Sequence, residues 1–318
     1  MSKQAVVLFN MGGPNSLFEV EGFLKRLFSD PHILHISNNF VRKMMANFIT
    51  SKRLQAAKAN YQAIGGGSPL IKHTLALTTL LNTLDTERFY TYCMRYTPPF
   101  AKDVLADLSH QGIESLVLFS MYPQYSTTTT KSSLIDIKQA LCESRYSPKI
   151  RVVERYFNNY RFCELIVKSI QNTLGERDPS DFTLLFSAHA IPQSLIKKGD
   201  HYPYECEQNI ALVKEILDTK RIGFKQILHS YQSKLGPIKW VGPTTQSVIA
   251  SLKNQRVLVF PLAFTIDNSE TDYELSIECA HIAKEAGVKE YLVARCFNAS
   301  EDFARFIIAM SQEAFAQS

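Results

Sequence analysis

FTLLFSAH at 182–189 and RVLVFPLAF at 256–264 are the segments from which the architecture follows. Each is a short run of branched and aromatic residues, apolar at successive rather than alternate positions. A strand with one solvent face alternates, so runs like these belong to strands covered on both sides, as in a parallel sheet. Outward from them lie AVVLFN (5–10), FYTYCMRY (89–96), SLVLFSM (115–121), RVVERYF (151–157), QILHSY (226–231) and YLVARC (291–296). Between these runs apolar residues recur at helical spacing, at 16–28, 70–84, 99–110, 131–142, 160–174, 205–218 and 271–286. Alternating β and α elements predict parallel sheets wrapped by helices. Four strands fall in each half, so the expected fold is α/β. It has two similar Rossmann-like domains, each a parallel four-stranded sheet flanked by helices, with the active-site cleft between them. The expected boundaries are 1–158, 159–300, and 301–318 for a final amphipathic helix that packs back on the first domain.

Composition narrows the class. The 318 residues contain six cysteines, at 93, 142, 163, 206, 279 and 296, with no CxxC pair. That scatter argues against a zinc ribbon or a disulfide framework and fits a reducing cytosol. MSKQAVVLF runs straight into a strand pattern, so no signal peptide is expected. No apolar run is long enough to span a bilayer. The net charge is +5, and its distribution says more than its sum. Pro31 to Leu84 contains no Asp or Glu but carries Arg42, Lys43, Lys52, Arg53, Lys58 and Lys72. Such a window suits an anionic partner or, equally, a solvated helical face. Within it FVRKMMANFITSKR (40–53) sets Met44, Met45, Phe48 and Ile49 beside basic residues, as an interfacial helix would, though plain packing explains them too. The expectation is a cytoplasmic protein with peripheral contact to the inner membrane surface.

Ligands of open α/β sheets lie beyond the carboxyl ends of the strands, and those ends carry distinctive residues. The first strand ends in Asn10-Met11-Gly12-Gly13-Pro14, where glycines let backbone approach a ligand or simply make a tight turn. The fifth ends at His189, three residues before Pro192. A neutral imidazole there can take a proton or bind a metal, or be a satisfied core histidine. The seventh leads into IDNSETDYELSIE, which places Glu270, Glu274 and Glu278 four apart on one stripe of the helix that opens there. Asp267 and Asp272 add to that field, and the row reads as a cation conduit or as a solvated acidic face. The third is followed by YPQYS (122–126) and Thr127 to Thr130, hydroxyls that bind anions or cap a helix. IGGGSP (64–69) has the look of a phosphate cradle, but it follows a helical pattern rather than a strand and fails that test.

Taken together these blocks resemble the ferrochelatase family, whose fold is chelatase-like. NMGGP (10–14), IGGGSP (64–69), MRY (94–96), YPQYS (122–126), LFSAHAIP (185–192), KGDHYP (198–203), SKLGPIKWVGP (233–243) and FPLAFTIDNSETDYELSIE (260–278) occur in the family's order across nearly the whole chain. The resemblance implies a lyase that inserts ferrous iron into protoporphyrin IX, releasing two protons, as the terminal step of haem biosynthesis. It implies that His189 and Glu270 are catalytic and are the expected iron ligands, and that Glu274, Glu278 and Asp267 conduct protons or metal. Met11, Arg53, Tyr61, Ser68, Arg95, Tyr125 and Trp240 fall where the family places porphyrin-facing groups. Asn268 departs from a histidine common in the family, so a relay through that position is in doubt. No cofactor is expected to be permanently bound, iron being a substrate. No iron–sulfur cluster is expected, because Thr127 stands where the cluster-bearing branch has a cysteine.

The implied partners are protoporphyrin and ferrous iron, without nucleic acid, in a monomer or weak dimer. Four other readings remain. A sirohydrochlorin-type chelatase would lack the SKLGPIKWVGP block. A coproporphyrin ferrochelatase is closer in chemistry. A nucleotide-binding module would leave the histidine and the acidic helix unexplained, and a haem or porphyrin carrier would bind without turnover.

Overall fold

The computed structural model describes residues 3–317 apart from 235 and 237, so two positions of the SKLGPIKWVGP block and Ser318 of the expected last helix lie outside the described residues. The chain forms two compact units, Met1–Glu154 with Ala299–Ser318, and Arg155–Asn298.

The first unit runs β1 (Gln4–Asn10), α1 (Val20–Ser29), α2 (Asn39–Ala63), α3 (Leu70–Leu84), β2 (Phe89–Met94), α4 (Ala101–His110), β3 (Ser115–Ser120), a π-helical turn (Thr127–Lys131), α5 (Ser132–Ser144) and β4 (Lys149–Val153). Its sheet is parallel with order β2-β1-β3-β4. Central β1 is buried from Ala5 to Phe9, which is why its residues are apolar without alternation. The second unit runs α6 (Tyr160–Leu174), β5 (Phe182–His189), α7 (Gln193–Ile196), α8 (Tyr202–Thr219), β6 (Gln226–Gln232), α9 (Thr245–Ala250), β7 (Arg256–Pro261), a π-helix (Glu270–Glu278), α10 (Cys279–Glu285) and β8 (Glu290–Val293). Its sheet, also parallel, has the order β6-β5-β7-β8. The two orders are the same permutation, so each unit has its topological switch point between its first and third strands. The last helix, α11 (Glu301–Ala316), packs on α3, β3 and β4.

Three segments differ from expectation, each for a physical reason. RVVERYF reads as one strand, yet β4 stops at Val153. The residues after it serve the second unit: Arg155 pairs with Glu205 at 2.6 Å, and Tyr156 packs edge-on against Phe162 at 4.9 Å. The segment 271–286 is π-helix before it is α-helix. Finally, α2 extends over 25 residues although it buries few of them, so its apolar periodicity is weak. Asn38 starts it by accepting from the backbone N–H groups of Phe40 and Val41.

The glycines of IGGGSP have a structural use. A Cβ on Gly67 would lie 2.4 Å from the Asn15 carbonyl oxygen, and one on Gly13 would lie 2.7 Å from Ser68 Cβ. The Ser68 N–H donates to the Pro14 carbonyl at 2.7 Å. The two glycine motifs therefore dock on each other, backbone to backbone, and fix the loop after β1.

Candidate active site

His189 closes β5, and its backbone is held from both sides. Its N–H donates to the Tyr202 hydroxyl at 3.1 Å, and the next N–H, of Ala190, donates to the Gln232 carbonyl at 2.9 Å. Beyond it the chain pairs with 239–241: Val241 N–H donates to Ile191, Gln193 N–H to Lys239, and Pro192 bridges Trp240. These backbone bonds place the segment that carries Trp240 next to the end of β5. Glu270 opens the π-helix that follows β7, on the other side of the same switch point.

Asn268 is buried and sets that helix start. Its Oδ1 accepts from Glu270 N–H at 2.8 Å, while its own N–H donates to Thr271 Oγ1 at 2.9 Å. A short amide suits this capping geometry. Along the helix Cys279 N–H donates to Glu274 O and Ser276 Oγ to Thr271 O, both across five residues. Single stretches of such wider turns recur at functional sites.

His189 Nδ1 lies 2.8 Å from Glu270 Oε2. The two residues that the resemblance makes the iron ligands are thus in direct hydrogen-bond contact. The Ser233 hydroxyl, just past the end of β6, lies between two carboxylates, 3.1 Å from Glu270 Oε2 and 2.6 Å from Glu274 Oε2. The result is a line of contacts: imidazole, carboxylate, hydroxyl, carboxylate. Burial alone would push His189 down, but the charge and hydrogen bond of Glu270, with the charge of Glu274, raise it above the usual 6.5. Burial would raise Glu270, yet His189, Ser233 and Gln232 together hold it below the ordinary carboxylate value. Glu274 goes the other way. Burial, then the neighbouring Glu270 charge, push it up to about 7, against the Ser233 hydrogen bond. Glu278 is exposed, so the row runs from a half-buried carboxylate to solvent.

The other expected residues are placed as follows. Asp267 has its own partners: its oxygens accept from Cys296 N–H at 3.1 Å and Asn298 Nδ2 at 2.7 Å, and Arg295 lies 3.6 Å away. It is thus tied to the segment after β8 rather than to Ser233 and the glutamates. In the first unit the ends of β1 and β2 are joined, with Arg95 N–H donating to Asn10 O and Tyr96 N–H to Met11 O. Met11 and Tyr125 are half-buried, Ser68 is buried against Gly13, and Tyr61 is buried near the end of α2. Arg53 is exposed on α2. The Arg95 guanidinium is engaged within the unit by Asp30 at 3.0 Å, Asp136 at 3.1 Å and Ser132 at 3.0 Å.

Sequence reading passed over Tyr202, Gln232 and Ser233. Gln232 and Ser233 come next to His189 through the strand order that sets β6 beside β5, which the local sequence does not spell out.

The family model described as Ferrochelatase matches residues 3–315. The chain is 52% identical over 309 residues to the ferrochelatase of Helicobacter pylori (strain HPAG1), covering 97% of this chain and 92% of that one. It is 47% identical to the ferrochelatase of Wolinella succinogenes, covering 97% and 98%. Among solved structures, SirB from Bacillus subtilis with Fe3+ superposes with a TM-score of 0.59 at 11% identity, over 77% of this chain and 89% of that one. DR2241 from Deinococcus radiodurans, a multi-domain protein with structural similarity to chelatases, gives 0.57 at 10% identity, over 98% and 55%. At these identities the two structures speak for a shared chelatase-like fold. With its match over nearly its whole length and half its residues shared with bacterial members, the chain belongs to the ferrochelatase family.

Proposed function

We propose that His189 and Glu270 carry out the reaction of this family, insertion of ferrous iron into protoporphyrin IX at the terminal step of haem synthesis. The observation that supports it is the 2.8 Å contact between His189 Nδ1 and Glu270 Oε2. Metallation exchanges two pyrrole N–H protons for one Fe2+, so a site needs a base and a ligand that gives the metal up. With Nδ1–H directed at the Glu270 carboxylate, neutral His189 keeps its Nε2 lone pair as the base. Its pKa, raised by the Glu270 charge and hydrogen bond against burial, makes that nitrogen a stronger base. Glu270, kept ionised by its neighbours, supplies the anionic oxygen for iron. An imidazole and a carboxylate suit ferrous iron and also accept cobalt and zinc, so metal selectivity is expected to be imperfect. Two such donors also hold a metal loosely enough to hand it on. Glu274 and Glu278 provide the route by which protons leave or metal arrives.

Iron is a substrate in this reading, and the protein carries no resident cofactor and no iron–sulfur cluster. The NMGGP and YPQYS blocks favour protoporphyrin over coproporphyrin. Met11, Tyr61, Ser68, Arg95, Tyr125 and Trp240 would contact the macrocycle, and Arg53 its propionates. Contact with a membrane surface is supported by α2, where Phe40, Met44 and Phe48 are 77, 55 and 57% exposed and Lys52 lies over the Phe48 ring.

The test is anaerobic turnover of protoporphyrin with Fe2+, or Zn2+ as a surrogate, followed by the porphyrin absorption bands. His189→Ala is expected to abolish insertion with porphyrin affinity nearly intact. Substantial turnover by that variant would refute the base assignment, and stoichiometric binding without turnover by the natural protein would make it a carrier.

A further inference from the structure

We infer that Gln232 and Ser233, the last residue of β6 and its successor, are positioning residues that aim the Glu270 carboxylate for metal delivery. The inference rests on the reading of Glu270 as an iron ligand.

Gln232 is 1% exposed, and a buried line of hydroxyls fixes which way its amide faces. Ser187 Oγ donates to Gln232 Oε1 at 2.6 Å. Ser187 has one hydroxyl proton and spends it there, so the 2.8 Å contact between Ser187 and Thr245 must be a donation from Thr245. Ser230 then supplies Thr245 at 3.0 Å or the Phe186 carbonyl at 3.3 Å. Ser187, Ser230 and Thr245 are fully buried and sit on β5, β6 and α9. A chain of hydroxyls in a dry interior strengthens each member and has little freedom to reverse. With Oε1 committed, Nε2 is left as the donor. It makes no hydrogen bond among the described residues, and the register of β6 on β5 sets Gln232 beside His189, the hydrogen-bond partner of Glu270. The reversed amide would turn an oxygen toward a carboxylate. A buried donor without a full partner, set beside a group that must accept a cation, is a support whose bond tightens when the carboxylate is fully charged or shifts toward metal.

Ser233 approaches from another direction. Its backbone has φ +66°, a left-handed conformation that favours glycine and is uncommon for a serine. Glycine would adopt it with less strain but would lack the hydroxyl that reaches both Glu270 and Glu274. Observed strain at a site marks a geometry the surroundings impose. His189, Gln232 and Ser233 thus surround Glu270 with donors from the ends of two neighbouring strands.

The experiment compares Gln232→Met, which keeps the length and removes the amide, with Ser233→Gly, which keeps the backbone and removes the hydroxyl. Ser187→Ala tests the lock at one remove. For each, kcat, KM for Zn2+ or Fe2+, porphyrin affinity by fluorescence and the unfolding midpoint are measured, with Glu270→Gln in parallel. The expected result is a loss of about 10- to 100-fold in kcat/KM for the metal in Gln232→Met and Ser233→Gly. Porphyrin affinity should stay within about twofold. A purely structural role would lower the midpoint and both substrates' parameters together. If Glu270→Gln is inactive while Gln232→Met and Ser233→Gly match the natural protein, or if they weaken porphyrin as much as metal, the inference is overturned and the site assignment stands. If Glu270→Gln turns over normally, both fall.

Discussion

Replacing Glu274 by Gln should stabilise the protein, and by an amount that grows with pH. In the folded state its carboxyl titrates near 7 rather than 4.5, because burial and the adjacent Glu270 charge disfavour the ionised form. Below about pH 4.5 the carboxyl is protonated whether folded or unfolded, and the substitution is nearly neutral. Between 4.5 and 7 the unfolded chain releases its proton while the folded one keeps it, so stability falls as pH rises. Above 7 the natural protein carries the whole penalty and the variant none. A shift of that size would be about 3.4 kcal/mol for a fully shielded group. Glu274 is part-exposed, and screening by water reduces this to roughly 1.5 kcal/mol. For a unit of this length that is about 3–6 °C in midpoint. Urea or thermal unfolding of both proteins at about pH 5 and pH 8 reads the effect directly, the gap between them widening at the higher value. A variant equally displaced at both pH values, or less stable than the natural protein at pH 8, would refute the argument that a desolvated carboxylate sits there.

Gly67→Ala should lower stability by about 1–3 kcal/mol and loosen the loop after β1, read by urea unfolding and proteolysis, since its Cβ would meet the Asn15 carbonyl at 2.4 Å. Asp30→Ala should cost roughly 3 kcal/mol at neutral pH, because it removes a carboxylate only 1% exposed and leaves the Arg95 charge with Asp136 and the Ser132 hydroxyl. Burial would raise Asp30, but Ser132, the His32 N–H, Arg95 and Tyr96 hold it below 3.8; its contribution is therefore present above that value and lost as pH falls through the lower folded one. Asn268→Ala should remove the cap on Glu270 N–H, costing about 1 kcal/mol in unfolding assays and lowering metal turnover more than porphyrin binding.

Most of the sheet architecture was legible because buried parallel strands have no solvent face to disguise them. Phe182–His189 was marked to the residue by its own apolar run and the proline behind it. RVVERYF misled because a run of alternating and aromatic residues does not record that its second half packs on a different core. The π-helix was hidden for a related reason: Glu270, Glu274 and Glu278 look α-helical on spacing alone, and the wider turn depends on the Asn268 and Thr271 bonds that only the fold brings together. Asp267 and Glu270 were indistinguishable as acidic residues in one segment. The chain turns between them, giving one to the Asn298 amide and the other to His189. Ser233 carried no signal of its own, since a serine after a strand is ordinary until its neighbours across the switch point are known.

Both units break into a π-helical turn after the third strand of the same strand order, one written TTTTK and the other ETDYELSIE. A turn that holds a surplus residue is an unrelaxed spring, because ordinary α-helical winding needs one fewer. Shortening the acidic copy by one position between 271 and 277 would let it rewind into a regular helix. The shortened molecule should be sturdier for it, and with Glu274 rotated off its serine it should make a poorer catalyst.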